Sequence, residues 1–245
     1  MNLPILTLVI LSHGDDARLE TIVESYLDAI ADKCIMLIID SGIPRYLNFL
    51  DHKLFNPPHS VRFCISGGIF RSINHALRHV RTQYYMIHGL DDQLIVKAFL
   101  RFNSYLVQAQ PDLLFASVIK YNKNLSFLRL HQLPHFPTDV FPSHTVGVAI
   151  RRNLHQKYGL YSDAYKVISD TAFISYAVSS GCSSDIFTDT ISVVGGSGFS
   201  KQHEFSAEFE LFKLRRSLGC PARFSLYQLL YGLVRRFTRR LIPNS

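Results

Sequence analysis

The sequence predicts an α/β protein with a mostly parallel central sheet, helices on both faces, a mixed second half and a C-terminal amphipathic helix. Three observations support this. Over the first 110 residues, short apolar runs alternate with stretches of helical periodicity. The runs are nearly continuous in apolar character, as expected for strands buried on both faces. Most end in a Gly, Asp or Ser cluster, the turn chemistry expected after a parallel strand.

The elements follow in order. Residues 3–11 read as a first buried strand, and 17–30 as a helix with Leu19, Ile22, Val23 and Tyr26 on one face. The run 34–39 ends at Asp40-Ser41-Gly42, and 61–65 ends at Ser66-Gly67-Gly68. A helix is expected over 69–80, a strand over 84–87 and a further helix over 94–108. Beyond Pro111 the pattern changes. Residues 113–119 and 126–130 flank Tyr121-Asn122-Lys123-Asn124 as a hairpin would. Pro134, Pro137 and Pro142 mark an irregular loop. Strands at 145–150 and 186–194 enclose a helix at 169–179. With no repeat or linker, residues 1–217 read as one domain, divided at 110, and 218–245 as a tail.

The formal charge of +7 belongs to that tail. From residue 211 onward there are eight basic residues and no acid, which leaves 18 basic against 19 acidic in the body. A nucleic-acid-binding face spread over the fold is therefore not expected. Leu226, Leu229, Leu230, Leu233, Val234, Phe237 and Leu241 share a helical stripe, with Arg235, Arg236, Arg239 and Arg240 on the flanks and back. Such a helix suits either an anionic membrane surface or docking on the main domain. Cys34, Cys64, Cys182 and Cys220 form no CxxC pair and are expected as reduced thiols. The run at 3–11 lacks a basic n-region and is too short to span a bilayer, so no secretory signal is expected. A cytoplasmic protein, peripheral on the inner face of the membrane, is the resulting expectation.

The segment Tyr84-Tyr85-Met86-Ile87-His88-Gly89-Leu90-Asp91-Asp92 ends an apolar strand in adjacent carboxylates. Two acids at a strand's carboxyl end repel each other unless a cation, hydrogen bonds or solvent relieves them. Mg²⁺ takes one or two carboxylates together with substrate phosphate. The competing interpretation is a helix N-terminus, where Asp is favoured in any case.

Taken in order, these blocks resemble the family 2 glycosyltransferases, inverting enzymes of GT-A fold, and in particular bacterial members that build lipopolysaccharide and other polysaccharides. Residues 6–15 are similar to the family's opening "VSVIIPTYNR", and Ile38 to Gly42 to "VVDGGS". Gly68 to Leu77, with Asn74, resembles "GIYDAMNKGI", and Asp91-Asp92 resembles "FLNADD". The longest match runs from Ser143-His144 to Ala172-Phe173, followed by Gly195-Gly196 before a basic helical stretch.

The resemblance implies a nucleotide-sugar site at Ser12, Asp40, Gly68, Asn74, Asp91 and His144, with Asp40 reading the base. It implies Mn²⁺ or Mg²⁺ at Asp91 and Asp92, and Asp170 as catalytic base. Ser169 would cap the helix that carries Asp170. The donor would be a UDP-sugar and the acceptor a lipid-linked sugar or oligosaccharide. Two positions depart from the pattern: Gly89, where the family has an acid or Asn, and Arg71, where it has an acid. Arg71 would contact phosphate or face solvent. A sugar-phosphate nucleotidyltransferase would need a basic Gly-rich loop after the first strand, whereas Ser12-His13-Gly14-Asp15-Asp16 is acidic. A binding subunit that has kept the fold and lost the chemistry is the non-enzymatic alternative.

Overall fold

A computed structural model describes residues 4–12, 16–30, 33–40, 59–63, 68–120, 144–195 and 199–241. Strand β1 (Leu6–Ser12) leads to helix α1 (Asp16–Ile30), then β2 (Cys34–Asp40), β3 (Ser60–Phe63), α2 (Ile69–Leu77) and β4 (Tyr84–Gly89). A short β5 (Gln93–Leu94) precedes α3 (Val96–Ala109) and β6 (Leu113–Lys120). A 3-10 turn at Thr145–Gly147 enters β7 (Val148–Arg151), followed by α4 (Leu154–Tyr158), α5 (Ser169–Ser179) and β8 (Ser184–Val194). Helices α6 (Phe199–Gln202), α7 (Glu204–Ser217) and α8 (Ala222–Leu241) come last.

Among the described residues one sheet forms, in the order β3-β2-β1-β4-β7-β6-β8-β5. The first four strands are mutually parallel. β7 runs antiparallel to both of its neighbours, β6 and β8 are parallel, and β5 is antiparallel to β8. The expected alternation and the mixed second half are both present. Of the expected hairpin only the first arm falls within the described residues, as β6, and it pairs with β7 and β8. Its second arm and the Pro loop lie outside them.

Alternation along each strand divides the core between two faces. Leu8 and Ile10 of β1, Met36 and Ile38 of β2 and Met86 of β4 pack with Leu19, Val23 and Tyr26 of α1 and Phe99 and Phe102 of α3. Val9, Leu37, Ile39, Tyr85 and Ile87 point the other way, toward Phe70, Ile73 and Ala76 of α2 and Phe173, Ile174 and Ala177 of α5. Both faces are covered, so the strands are apolar throughout. Cys34 and Cys220 are buried free thiols, and burial pushes the Cys34 thiol up to about 12.

Strand directions gather the chemistry at one edge. Ser12 pairs with Asp40 and Leu11 with Gly89, so β1, β2 and β4 end together. The reversed β7 starts at this edge, which places His144 and Thr145 there. β6 and β8 run parallel to β4 and end there at Lys120 and Val194. Ligands of open α/β sheets bind outside such carboxyl ends.

The tail helix α8 packs along α7 with a small and polar face. Ser225 and Leu229 are buried, and a Cβ on Gly232 would overlap the Glu208 carboxylate, so the glycine permits the close approach. Arg236, expected on the solvated side, turns inward instead to Glu204 at 3.1 Å and Glu208 at 2.7 Å. The stripe therefore splits, because half of it follows the docking face. Leu229 faces the body, while Leu226, Leu230, Val234 and Phe237 remain exposed beside Tyr227 and Tyr231. Among the described residues no helix is long and apolar enough to cross a membrane.

Candidate active site

The acids after β4 have different surroundings. Asp92 is buried; its Oδ2 accepts the Gly89 N–H at 2.8 Å and its Oδ1 the Gly195 N–H at 3.1 Å. It ties the turn after β4 to the end of β8. Burial raises its carboxyl above the usual range, against the pull of those two N–H groups, and Asp91 nearby adds to the rise.

Asp91 is half-buried over Gly195, where any Cβ would overlap its side chain. A Cβ at Gly89 would lie 2.9 Å from Asp91 Oδ1 and 3.2 Å from Asp92 Oδ2. Both carboxylate tips fold back over Gly89, so a side chain there would require them to turn aside. Asp92 holds the turn that carries Asp91. Among the described residues no cluster of three or more His, Cys, Asp or Glu forms a ready-made metal cage. A hard cation that draws most of its ligands from a diphosphate and water fits this arrangement.

The segment His144–Thr145 connects this pair to Asp170. His144 is exposed and lies within electrostatic reach of Asp92 and His88. The next residue, Thr145, donates its hydroxyl hydrogen bond to Asp170 Oδ2, while Asp170 Oδ1 accepts the Thr171 N–H at 2.8 Å. Asp170 is in the first turn of α5 and half-buried. Ser169 does not cap that helix. Ile168 holds the cap position, and the Ser169 hydroxyl donates to the Ser162 carbonyl at 3.0 Å. A serine one residue inside the helix is poorly placed to cap it; the Thr171 N–H goes to Asp170, and the Ile168 N–H before the helix goes to Glu210.

No protein-family model and no curated protein matches the sequence. Solved structures do. The crystal structure of S. aureus TarS aligns over 95% of this chain at 12% identity with a TM-score of 0.66. The chain covers 43% of that TarS chain, less than half its length. TarS 1–349 in complex with UDP aligns with the same score and identity, over 72% of its length. Mannosyltransferase PcManGT from Pyrobaculum calidifontis, in complex with GDP-Man and Mn²⁺, aligns over 100% of this chain and 77% of its own, at 13% identity and a TM-score of 0.63.

The chain has a glycosyltransferase fold.

Within this glycosyltransferase fold the remaining expected residues take definite places. Ser12 is buried at the end of β1, level with Asp40. Gly68 holds the N-cap of α2 at φ +144°, which side-chain-bearing residues rarely adopt. Asn74 braces the backbone of Tyr161, with its Nδ2 donating to the Tyr161 carbonyl at 2.8 Å and its Oδ1 accepting the Tyr161 N–H at 3.0 Å. Arg71 pairs with Asp163 at 3.3 Å on an exposed surface, a contact worth little in stability.

Sequence reasoning missed a buried network near Asp170. The Tyr85 hydroxyl bonds Tyr161 Oη at 2.7 Å and His155 Nε2 at 2.5 Å, and Phe173 stacks on His155 with ring centroids 4.2 Å apart. Burial lowers His155 to about 4, and burial lowers His88, below the acid pair, to about 3. Both are neutral imidazoles inside the fold. The only sequence signal was that aromatic residues and histidine fall within the longest family-like block.

Proposed function

We propose that the chain is an inverting glycosyltransferase that moves a sugar from a nucleotide-sugar donor, a UDP-sugar by preference, to a hydroxyl of a lipid-linked or oligosaccharide acceptor in cell-surface polysaccharide synthesis. The observation that supports this most is the His144–Thr145 segment, which brings Asp170 and the Asp91-Asp92 turn to one sheet edge. Ser12, Asp40, Gly68 and Asn74 would frame the nucleotide side, with Asn74 acting through the backbone of Tyr161.

Asp91 would hold Mn²⁺ or Mg²⁺ against the donor diphosphate, with Asp92 fixing the turn. A metal bound there supplies positive charge to the leaving diphosphate. His144 would add donor capacity beside it. Asp170 accepts the proton of the acceptor hydroxyl as that oxygen attacks the anomeric carbon. Its second oxygen is steadied by the Thr171 N–H. Attack from the face opposite the diphosphate inverts the configuration.

A catalytically degenerate nucleotide-sugar-binding or partner subunit is the second reading, and Asp92 favours it, since both of its oxygens are already engaged by backbone. Thermal melts with UDP, GDP and dTDP, each with Mn²⁺, Mg²⁺ or chelator, test the donor site, because a ligand of the native state alone raises Tm. A metal-dependent shift with one nucleotide supports the site; no shift with any pair in folded protein removes it. Asp170→Asn then separates the readings. An enzyme loses turnover and keeps nucleotide binding, and a binding subunit loses neither.

The outward face of α8 would rest on an anionic membrane, at the cytoplasmic surface where a lipid-linked acceptor would be reached. Nucleic acid is not an expected partner.

A further inference from the structure

Glu210 of α7 is a buried carboxylate set against the loop that leads into α5. Its Oε1 accepts the Lys166 N–H at 2.9 Å. Its Oε2 accepts the Val167 N–H at 2.9 Å and the Ile168 N–H at 3.1 Å. Three consecutive backbone donors thus end on one side chain more than forty residues away in sequence.

The reason lies in the local sequence. Donors at a helix start have no intrahelical partner. Here the cap is Ile168, which has no acceptor, and the Ser169 hydroxyl is directed to Ser162. Of those donors Glu210 takes the Ile168 N–H, together with the Lys166 and Val167 N–H groups of the preceding loop, so it pins the approach to α5, while the first-turn Thr171 N–H goes to Asp170. The seam around it is apolar: Ala207 and Leu214, on the neighbouring turns of α7, pack with Val167, Ile168 and Ala172. Charge-assisted bonds in such a setting are about twice as strong as neutral ones.

Asp170 lies two residues beyond Ile168. A proton-accepting carboxylate must sit within hydrogen-bond reach of the hydroxyl it serves, and an error of about 1 Å costs orders of magnitude in rate. Thr145 and the Thr171 N–H orient its carboxylate, whereas Glu210 holds the backbone from which it projects. We propose that Glu210 is a positioning residue for Asp170. The proposal rests on the reading of Asp170 as the catalytic base. The same helix carries Glu204 and Glu208, which hold Arg236 of α8, so one rigid element links the base to the outward apolar face of the tail.

The test uses the full chain with Glu210→Gln, Glu210→Asp and Asp170→Asn. Three readouts are needed: amide hydrogen exchange of the peptide spanning 166–170, UDP affinity with Mn²⁺, and UDP release from UDP-glucose, UDP-galactose and UDP-N-acetylglucosamine. Gln keeps the shape but has one acceptor oxygen for three donors. For Glu210→Gln the 166–170 peptide should exchange about tenfold faster and kcat should fall about tenfold or more, with UDP affinity within about twofold of the parent. Glu210→Asp, which keeps both oxygens with shorter reach, should lie between the two. Unchanged exchange, an unchanged kcat in folded protein, or joint loss of kcat and UDP affinity overturns the proposal. If Glu210→Gln does not fold, the same criteria apply to Glu210→Asp. Full UDP release by Asp170→Asn overturns the base assignment itself, whatever Glu210 does.

Discussion

Gly195→Ala probes the closest approach in the candidate site. The added Cβ would overlap the Cβ, Cγ and Oδ2 of Asp91. Because Asp91 Cβ is among them, rotating the carboxylate about χ2 cannot relieve the contact. Rotation about χ1 leaves Cβ in place as well, so the turn must shift, and the Gly195 N–H would pull on Asp92 Oδ1 as it moved. Overpacking of this kind costs about 1–3 kcal/mol, which lowers Tm by roughly 2–12 °C in a chain of this size. The effect on function should be larger. Displacing Asp91 by about 1 Å should reduce kcat/KM about 100-fold and remove the metal-dependent part of the UDP melting shift. Gly159→Ala is the matched control: its φ of +82° makes the alanine strained, but no atom lies within 4 Å of the new Cβ. The control should lose stability and keep the nucleotide response. Gly195→Ala with a parental UDP–Mn²⁺ shift and turnover within about threefold would refute the assignment of Asp91 as the site's cation-facing carboxylate.

Acidification should destabilise the fold before the carboxylates titrate. His88 and His155 are lowered to about 3 and about 4 by burial, whereas the unfolded chain protonates near 6.5. The unfolded state therefore binds more protons below 6.5, and unfolding free energy should fall by about 3 kcal/mol for the two together between pH 6.5 and 5. Denaturant melts across that window read this directly, and a flat profile would contradict buried neutral imidazoles. For the tail, flotation with phosphatidylglycerol vesicles should recover the protein while neutral phosphatidylcholine should not, as expected for an apolar face flanked by arginine. Leu230→Glu with Val234→Glu, both exposed and turned away from α7, should abolish flotation without lowering Tm. Retained flotation in that double variant would exclude this face as the contact.

What the sequence determined by itself was set by short-range periodicity and turn chemistry. The apolar runs at β1, β2 and β4, the helical stripe of α1 and the helix at 169–179 were legible because burial on a strand or helix imposes its period on the residues themselves. The acid pair after β4 was legible for the same reason, as an abrupt end to an apolar run. Tertiary structure decided what these residues do to one another. The reversal of β7 brings Thr145 to Asp170, and the parallel course of β8 lays Gly195 over Asp91. Neither can be read from composition, because each depends on strand order across a hundred residues or on a 25-residue separation that crosses two elements. Ser169 shows the difference at one position. By local rules it is a cap, yet the helix begins at Ser169 itself with Ile168 as cap, the Ser169 hydroxyl turns to Ser162, and Glu210 takes the N–H groups of the approach from Lys166 to Ile168. The tail shows it over a whole helix: periodicity marked one stripe, and the docking of Gly232 and Arg236 against α7 determined which half of it faces outward.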